Sequence, residues 1–337
     1  MNNKILITGA SGFIGSHLAE EALERGMEVW CAVRKTTSRR YLQDERLHFI
    51  ELNLQDETDL TEKLAELAPQ YVVHAAGATK CLDKSDFFRT NTEGTRHLIN
   101  ALEPLAKDGG PLKRMVFVSS LSIFGAIHEE QPYVEIKDTD TPQPNTAYGE
   151  SKLKAEAILS KSSLPYVIVR PTGVYGPREK DYFLMVKSVK QHSDFAVGYK
   201  PQDITFVYVT DVVDACLLAL EAPAEKCLHK AYFLSDGEVY RSTTFSDYIR
   251  EELGNPWMLR LRVPVWVLRV VTFCGEYWGR LTHNVTALNN DKYNILRQRN
   301  WRCDISPARR DLGYSPKVML REGVRRSVEW YKKNNWI

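Results

Sequence analysis

The chain lacks most features that would assign it to a specialised class of protein. Its 337 residues carry 45 basic and 43 acidic side chains, and a formal net charge of +2 gives no reason to expect nucleic acid as a partner. The six cysteines are scattered, with no Cys-x-x-Cys pair and no histidine spacing that would indicate zinc. A chain of this length can bury a core without disulfides, so we expect free thiols, a cytoplasmic location and no metal site.

Long apolar runs are also missing. The most apolar stretch, 263–273, contains Arg269 and is far shorter than the roughly 20 residues that a membrane span needs. The first residues lead directly into a strand-like run, KILITG, so we expect no signal peptide. These absences predict a soluble protein without a transmembrane segment.

What is present is an alternation of short apolar runs with longer helical patterns. Strand-like runs fall at 4–8, 27–33, 47–52, 71–76, 114–120 and 166–170. Several of them are apolar at successive positions, which is typical of strands covered on both faces. The repetition of strand and helix predicts an α/β fold with a doubly wound parallel sheet.

The rhythm changes after about residue 172, and six of the seven tryptophans lie between 257 and 336. We therefore predict two interleaved domains. A dinucleotide-binding domain would comprise 1–172 and 204–234. A smaller, mainly helical substrate domain would comprise 173–203 and 235–337.

Three glycines follow the first predicted strand, in the loop TGASGFIG. Gly9 would permit the tight turn, Gly12 the close approach of a pyrophosphate, and Gly15 the close packing of helix on strand. The phosphates would then lie at the positive end of the helix that follows. The loop predicts a dinucleotide site, whose lining would include Ser11, Phe13 and Ile14.

The end of the second strand bears on which dinucleotide binds. An acidic residue there would accept the ribose 2′-hydroxyl of NAD, whereas an arginine favours the 2′-phosphate of NADP. This chain has Arg34 in CAVRKTTSRR, with no Asp or Glu beside it. We expect a preference for NADP(H), with NAD(H) as the alternative.

A tyrosine and a lysine stand four positions apart in AYGESKLKAE, residues 147–156. Residues at this spacing share one face of a helix. A neighbouring ammonium and an oxidised nicotinamide both favour phenolate, so we expect Lys152 to lower the pKa of Tyr148. Tyr148 would then exchange a proton with a substrate oxygen during hydride transfer, and Lys152 would also hold the ribose.

The chain resembles an extended short-chain dehydrogenase/reductase, of the NAD-dependent epimerase/dehydratase type, over nearly its whole length. The motifs that carry this likeness follow in the family's order: TGASGFIGSHL, HAAG, NTEGT, SSLSIFG, YGESK, RPTGVYGP, FVYVTDVVDA and CDISPARRDLGYSP.

The resemblance implies particular site residues. It places the catalytic hydroxyl at Ser120, beside Tyr148 and Lys152, with Ser122 and Tyr175 near the substrate. It also implies a homodimer formed through the helices that carry NTEGT and YGESK. Further cofactor contacts implied by the resemblance are Asn53, Leu54, Ala75, Ala76, Gly77, Pro171, Thr172 and Val174.

Three departures from the motifs of sugar-nucleotide enzymes bear on which branch of the family the chain resembles. Ser120-Leu121-Ser122 stands where sugar-nucleotide 4,6-dehydratases carry Thr-Asp-Glu, so the acid pair for eliminating water is absent. Gly173 replaces an asparagine that many epimerases use to contact substrate. Ile204 and Thr205 stand where epimerases place an arginine that clamps the diphosphate. The sequence is more similar to the 3β-hydroxysteroid dehydrogenase and dihydroflavonol reductase branch.

We therefore predict an NADP(H)-preferring oxidoreductase that interconverts a secondary alcohol with a ketone or aldehyde on an apolar substrate. The alternatives are an NAD-dependent nucleotide-sugar epimerase and a non-catalytic cofactor-binding sensor or scaffold. The Trp-rich stretch 257–281 is expected to form a buried helix, because large apolar stripes are usually core. A substrate lid or a peripheral membrane element remains open for it.

Overall fold

The structure is a computed structural model, which describes residues 3–282 and 289–337. Its central sheet has seven parallel strands, and their order across the sheet is β11-β6-β5-β4-β1-β2-β3. The predicted doubly wound α/β fold is confirmed. The strands are β1 (Lys4–Thr8), β2 (Glu28–Val33), β3 (His48–Glu51), β4 (Tyr71–His74), β5 (Arg114–Val118), β6 (Tyr166–Pro171) and β11 (Ala231–Leu234).

Helices cover both faces of this sheet. One layer contains α1 (Phe13–Glu24), α7 (Val209–Glu221) and α12 (Ser306–Leu312), and the other contains α2 (Glu57–Leu67), α4 (Gly94–Leu102) and α5 (Ala147–Leu159). Successive strand residues point to opposite layers: Ile5 and Ile7 of β1 join the first cluster and Leu6 the second. This double burial explains why the strands are apolar at successive positions.

The six strands expected from the sequence are present, each within two residues of its predicted ends. The seventh strand, β11, is an edge strand that was not predicted. The sheet falls entirely within the ranges predicted for the dinucleotide-binding domain. However, Ile305, Ala308, Leu312 and Tyr314 also pack into the core beside the sheet. That part of the predicted substrate domain therefore belongs structurally with the sheet, and the domain boundaries stay a prediction.

A second core lies beside the sheet and is mainly aromatic. It is formed by α6 (Asp181–Lys190), α9 (Thr244–Glu252) and α13 (Leu320–Lys333), together with two short parallel strands, β7 (Gly173–Tyr175) and β10 (Phe206–Tyr208). Its centre is a set of rings in edge and tilted contact, among them Tyr175, Tyr182, Phe206 and Phe245.

The remaining elements are short strands and helices around these cores. Two further strand pairs join β9 (Asp203–Ile204) to β12 (Tyr240–Arg241) and β8 (Ser193–Val197) to β13 (Leu259–Val263). The other helices are α3 (Lys84–Phe87), α8 (Ala224–Cys227), α10 (Val265–Thr282) and α11 (Asn290–Arg297). Short 3₁₀ turns lie at Glu103–Ala106 and Leu121–Ile123, and a π-helical turn at Phe88–Glu93.

The expectation of a buried helix in 257–281 is wrong. This stretch forms β13 and most of α10, and the large side chains of α10 face outward, with Trp266 71% exposed. Within the described ranges, no helix has the length and apolar character needed to cross a membrane. All six cysteines lie in the described ranges and are free thiols, as predicted.

Candidate active site

The predicted site residues converge at the carboxyl edge of the central sheet. The strand order reverses between β1 and β4, and in open α/β sheets the crevice at such a reversal binds ligands. The glycine loop follows β1, Ala75–Gly77 follows β4, and Ser120 follows β5. Neighbouring parallel strands thus bring three separate motifs to one edge.

The glycine loop has the close backbone packing that the motif predicts. Gly9 has a φ of +69°, and a Cβ there would lie 2.7 Å from the backbone of Ala76. A Cβ on Gly15 would lie 2.1 Å from the carbonyl oxygen of Gly9. At Gly12, the residue before α1, no side chain caps the helix, so the first-turn N–H groups are left for an anion. The loop fits a dinucleotide pyrophosphate.

Arg34 follows β2 at the same edge and is exposed. Its guanidinium makes no hydrogen bond or ion pair with the residues described here, although its backbone amide donates to Thr37. Nearby, Arg39 stacks on the ring of Phe49 at 4.1 Å. Arg34 is thus positioned as a guanidinium available to a phosphate at the end of the second strand.

The start of α5 fixes Tyr148. The hydroxyl of Thr146 accepts a hydrogen bond from the amide of Gly149 at 3.0 Å, which caps the helix. The carboxylate of Asp291, at the start of α11, accepts from the amides of Ala147 and Tyr148 at 3.0 and 3.4 Å. A residue of the predicted substrate domain therefore holds the backbone of the predicted catalytic tyrosine, which sequence reasoning missed.

The side chain of Tyr148 meets Ser120 as the resemblance implies. The Ser120 hydroxyl lies close enough to the phenol to favour its ionised form, and that hydroxyl accepts a hydrogen bond from the amide of Ser122 at 3.1 Å. Burial raises the pKa of Tyr148, and the neighbouring Ser120 opposes this only in part. The expectation that Lys152 lowers this pKa is therefore wrong for the chain by itself. Any lowering has to come from a bound, positively charged nicotinamide.

Lys152 lies one turn beyond Tyr148 and is only 3% exposed. Its Nζ lies 4.1 Å from the centre of the Phe117 ring and 3.9 Å from where a Cβ on Gly77 would stand. Its ammonium has no hydrogen-bond acceptor among the described residues. Burial lowers the pKa of Lys152 to about 7, and the carboxylate of Glu156 opposes that shift. A buried ammonium without acceptors, beside a glycine at the strand edge, fits the hydroxyls of a cofactor ribose.

Glu156 continues the same helical face by one more turn. Its carboxylate takes a bidentate ion pair from Arg170, with oxygen–nitrogen distances of 3.1 and 2.6 Å, and both side chains are nearly buried. Arg170 is in turn held over the rings of Phe124 and Phe233. In the sequence, Glu156 could have been noticed because it lies four residues after Lys152 and eight after Tyr148, on the same face of the helix.

A chain of buried hydrogen bonds supports the loop after β4. His74 Nδ1 lies 2.6 Å from the hydroxyl of Thr8, and Nε2 lies 2.9 Å from that of Thr95. Thr95 donates to the carbonyl of Asn91, so Nε2 carries the proton and Nδ1 accepts. Burial lowers the pKa of His74 to about 3, which keeps the ring neutral. His74 therefore shapes this loop through the hydrogen bonds of a neutral ring.

Asn91 ties that loop to the catalytic helix. Its side chain accepts from the amide of Ala78 at 2.7 Å and donates to the carbonyl of Ala78 at 3.0 Å and to the hydroxyl of Ser151 at 2.9 Å. Ser151 donates to the carbonyl of Tyr148 at 2.7 Å. Every polar atom of the Asn91 side chain is used. This residue opens the motif NTEGT, but its role depends on contacts across the fold.

Gly173 and Thr205, at which this chain departs from many epimerases, are closely packed. A Cβ on Gly173 would lie 2.3 Å from the hydroxyl of Tyr182, so a larger residue there would require the Tyr182 side chain to move. The hydroxyl of Thr205 is buried and bonds to the carbonyl of Trp301, while Thr172 bonds to Thr205. These side chains are engaged in packing the strand rather than in holding an anion.

The other predicted site residues fall into two groups, one buried and one exposed or half-buried. Tyr175 is fully buried in the aromatic core, so packing accounts for it and we no longer assign it to the substrate. Pro171 and Thr172 are also buried, at the end of β6. Exposed or half-buried positions, where a ligand contact stays a prediction, are Ser11, Phe13, Ile14, Asn53, Leu54, Ala75, Ala76, Gly77, Ser122 and Val174.

Comparison with known protein families gives one match. The profile of the NAD dependent epimerase/dehydratase family matches residues 5–233, well over half of the chain. The chain belongs to this family.

Among the described residues no cluster of His, Cys, Asp or Glu could hold a metal ion.

Characterised relatives cover the chain almost end to end. The UDP-glucose 4-epimerase of Vibrio cholerae is 27% identical over 99% of this chain and 97% of its own length. The 2-alkyl-3-oxoalkanoate reductase of Stenotrophomonas maltophilia is 28% identical over 96% and 98%. The sterol-4-alpha-carboxylate 3-dehydrogenase of Candida albicans is 22% identical over 98% of each. Relatives thus include both epimerases and oxidoreductases of the sterol type.

The fold is shared with solved structures. The UDP-glucose 4-epimerase of Thermotoga maritima superposes with a TM-score of 0.76, at 24% identity, over 99% of this chain and 100% of that one. By its family match the protein is an oxidoreductase of the epimerase/dehydratase family, and its relatives include a UDP-glucose 4-epimerase and a sterol-4-alpha-carboxylate 3-dehydrogenase.

Proposed function

We propose that the protein is an NADP(H)-preferring oxidoreductase that interconverts a secondary alcohol and a ketone or aldehyde on an apolar substrate. The observation that carries this proposal is the packing at Gly173. The Tyr182 hydroxyl fills the space beside it, so the asparagine that many epimerases use would have to displace that side chain. The buried Thr205, in place of a diphosphate clamp, supports the same conclusion.

The preference for NADP(H) rests on Arg34. An exposed guanidinium at the end of β2, with no carboxylate partner among the described residues, suits a 2′-phosphate and gives nothing to accept a 2′-hydroxyl. When bound, the cofactor supplies or accepts the hydride. Lys152 holds its ribose, and the loop 9–15 holds its pyrophosphate.

The chain itself handles the proton and the oxygen. Ser120 donates a hydrogen bond to the substrate carbonyl, which orients it and stabilises the charge that develops on oxygen. Tyr148 gives its phenolic proton to that oxygen in reduction and takes it back in oxidation. Asp291 and Thr146 hold the first turn of α5, so the phenol keeps its distance to Ser120 through the cycle.

The test is a turnover screen of the purified protein. We expect NADPH oxidation with a member of a panel of apolar ketones and aldehydes that includes 3-oxosteroids and 3-oxoalkanoates, and slower oxidation of NADH. Tight NADPH binding without turnover on any carbonyl would instead favour the non-catalytic sensor or scaffold. Turnover of NADH alone would contradict the cofactor assignment.

The second candidate is an NAD-dependent nucleotide-sugar epimerase, which the similarity to the Vibrio cholerae enzyme favours. An epimerase would retain NAD through purification and convert UDP-glucose without net change of cofactor. The double change Gly173→Asn with Tyr182→Ala separates the two candidates. In a reductase it should not produce epimerase activity, whereas in an epimerase it should leave or raise that activity.

A further inference from the structure

The helix α10 exposes its apolar side to solvent, unlike an ordinary surface helix. Its large apolar side chains are each more than half exposed, and they recur at helical spacing: Trp266, Val270, Phe273, Tyr277, Trp278 and Leu281. The side that faces the protein is narrow, with Leu268, Thr272 and Gly279 buried. A surface helix normally does the reverse.

The strand that precedes the helix extends the same exposed surface. Leu259 and Leu261 alternate along β13 and are exposed, and Leu261 is in register with the exposed Phe195 of β8. Since alternate strand residues share a face, these three side chains point outward together. Arg260, on the other face, is tied to Asp194. We call residues 257–282 the outward segment.

Charge distinguishes the outward segment from the rest of the chain. It holds four arginines and one glutamate, a net charge of +3, whereas the whole chain has a net charge of only +2. Arg262 and Arg269 are exposed, and their guanidinium groups have no ion-pair partner within the described ranges. Arg269 stands three residues after Trp266 and four before Phe273, so it lies beside the aromatic face.

These features favour an anionic lipid surface over a second copy of the chain. Apolar side chains with Trp, Tyr and Arg at the margin are what a helix lying in a membrane interface carries. In a two-fold dimer through the same face, two segments of net charge +3 would face each other, which costs free energy. A helix that cannot span the bilayer can still lie on it.

We propose that the outward segment docks the protein on anionic membranes, with α10 lying parallel to the surface. The outward segment is connected to the catalytic helix, because α10 packs on α11, whose Asp291 holds the start of α5. This proposal is independent of the reaction catalysed, so its failure would leave the proposed function standing.

The experiment is co-sedimentation of the full chain with vesicles of phosphatidylcholine alone or mixed with phosphatidylglycerol. We expect roughly tenfold or greater enrichment on the anionic vesicles, with a loss of binding at high salt. Tryptophan emission should shift to shorter wavelength on binding, and Trp266→Phe should reduce that shift.

Matched variants distinguish binding through the outward segment from nonspecific binding by other exposed apolar residues. The triple change Trp266→Ser, Phe273→Ser, Tyr277→Ser should abolish binding, and Arg262→Gln with Arg269→Gln should remove the preference for anionic lipid. Val134→Ser with Leu184→Ser, which alters exposed apolar residues elsewhere, should bind as the unaltered protein does. No binding to either vesicle would overturn the proposal. So would equal loss in the control, or a stable dimer in light scattering that the triple change dissociates.

Discussion

The central sheet and the outward segment contain similar apolar patterns but bury them very differently. Leu64 of α2 is 0% exposed against the sheet, while Leu281 of α10 is 59% exposed. Each belongs to a helix with a pronounced apolar stripe. The pattern therefore identifies a helix and its apolar side, but not the surface that covers that side. For α2 the sheet covers it, and for α10 no described residue of the chain does.

The same tyrosine change in the two regions should give the largest difference. Tyr148→Phe removes the proton donor, and we expect turnover to fall about 10²- to 10⁴-fold. NADPH affinity should be nearly unchanged, because Lys152 and the glycine loop remain. Tyr277→Phe on α10 is the matched control and should leave turnover of soluble substrates unaltered. Equal loss of turnover and cofactor binding in Tyr148→Phe would refute the assigned role.

The same leucine change should next separate the two regions by stability. Leu64→Ala leaves a cavity in a closed core and should lower the free energy of unfolding by about 2–5 kcal/mol. Leu281→Ala removes an exposed side chain and should change it by less than ~0.5 kcal/mol. Chemical denaturation without vesicles measures both. A comparable loss in Leu281→Ala would mean that α10 is packed against the chain in solution.

Reversing the charge should distinguish Arg34, at the predicted cofactor site, from Arg269 on α10 by the effect on cofactor affinity. Arg34→Asp should weaken NADPH by roughly 10- to 100-fold, the loss expected for a charged hydrogen bond, while NADH changes little or improves. Arg269→Asp should leave both affinities unchanged. Titration calorimetry gives the ratio directly, and an unaltered NADPH/NADH ratio in Arg34→Asp would refute the phosphate assignment.

The smallest effect is the pH dependence of cofactor binding. The pKa of Lys152 is about 7, so below this pH the ammonium is already formed and NADPH affinity should be flat. Above it the amine must take up a proton to bind, and affinity should fall by up to about tenfold per pH unit. Binding isotherms at several pH values test this. Lys152→Met should abolish the slope and Lys292→Met should keep it; the reverse would contradict the assignment.

Much of the fold and part of the site were predictable because they rest on local patterns. Six strands were found because residues buried on both faces must be apolar in succession. Gly9 and Gly15 were found because backbone contacts there exclude any side chain. The placement of Ser120 beside Tyr148 followed from family resemblance, since the two residues are far apart in sequence.

The rest depended on contacts between distant parts of the chain. Asp291 caps the catalytic helix from 143 residues away, and no local pattern marks it for that task. Burial of Tyr175 follows from how the second core closes around it, and the raised pKa of Tyr148 follows from its own burial; spacing reveals neither. The edge strand β11 was also missed, although β3 and β4 have the same length of four residues and were predicted.

Titration calorimetry with NADPH, NADH and UDP-glucose on protein freed of bound nucleotide tests the central assignment most directly. We expect NADPH to bind more tightly than NADH and UDP-glucose to give no binding heat. NAD retained through purification, together with a clear UDP-glucose isotherm, would contradict it and establish the nucleotide-sugar alternative.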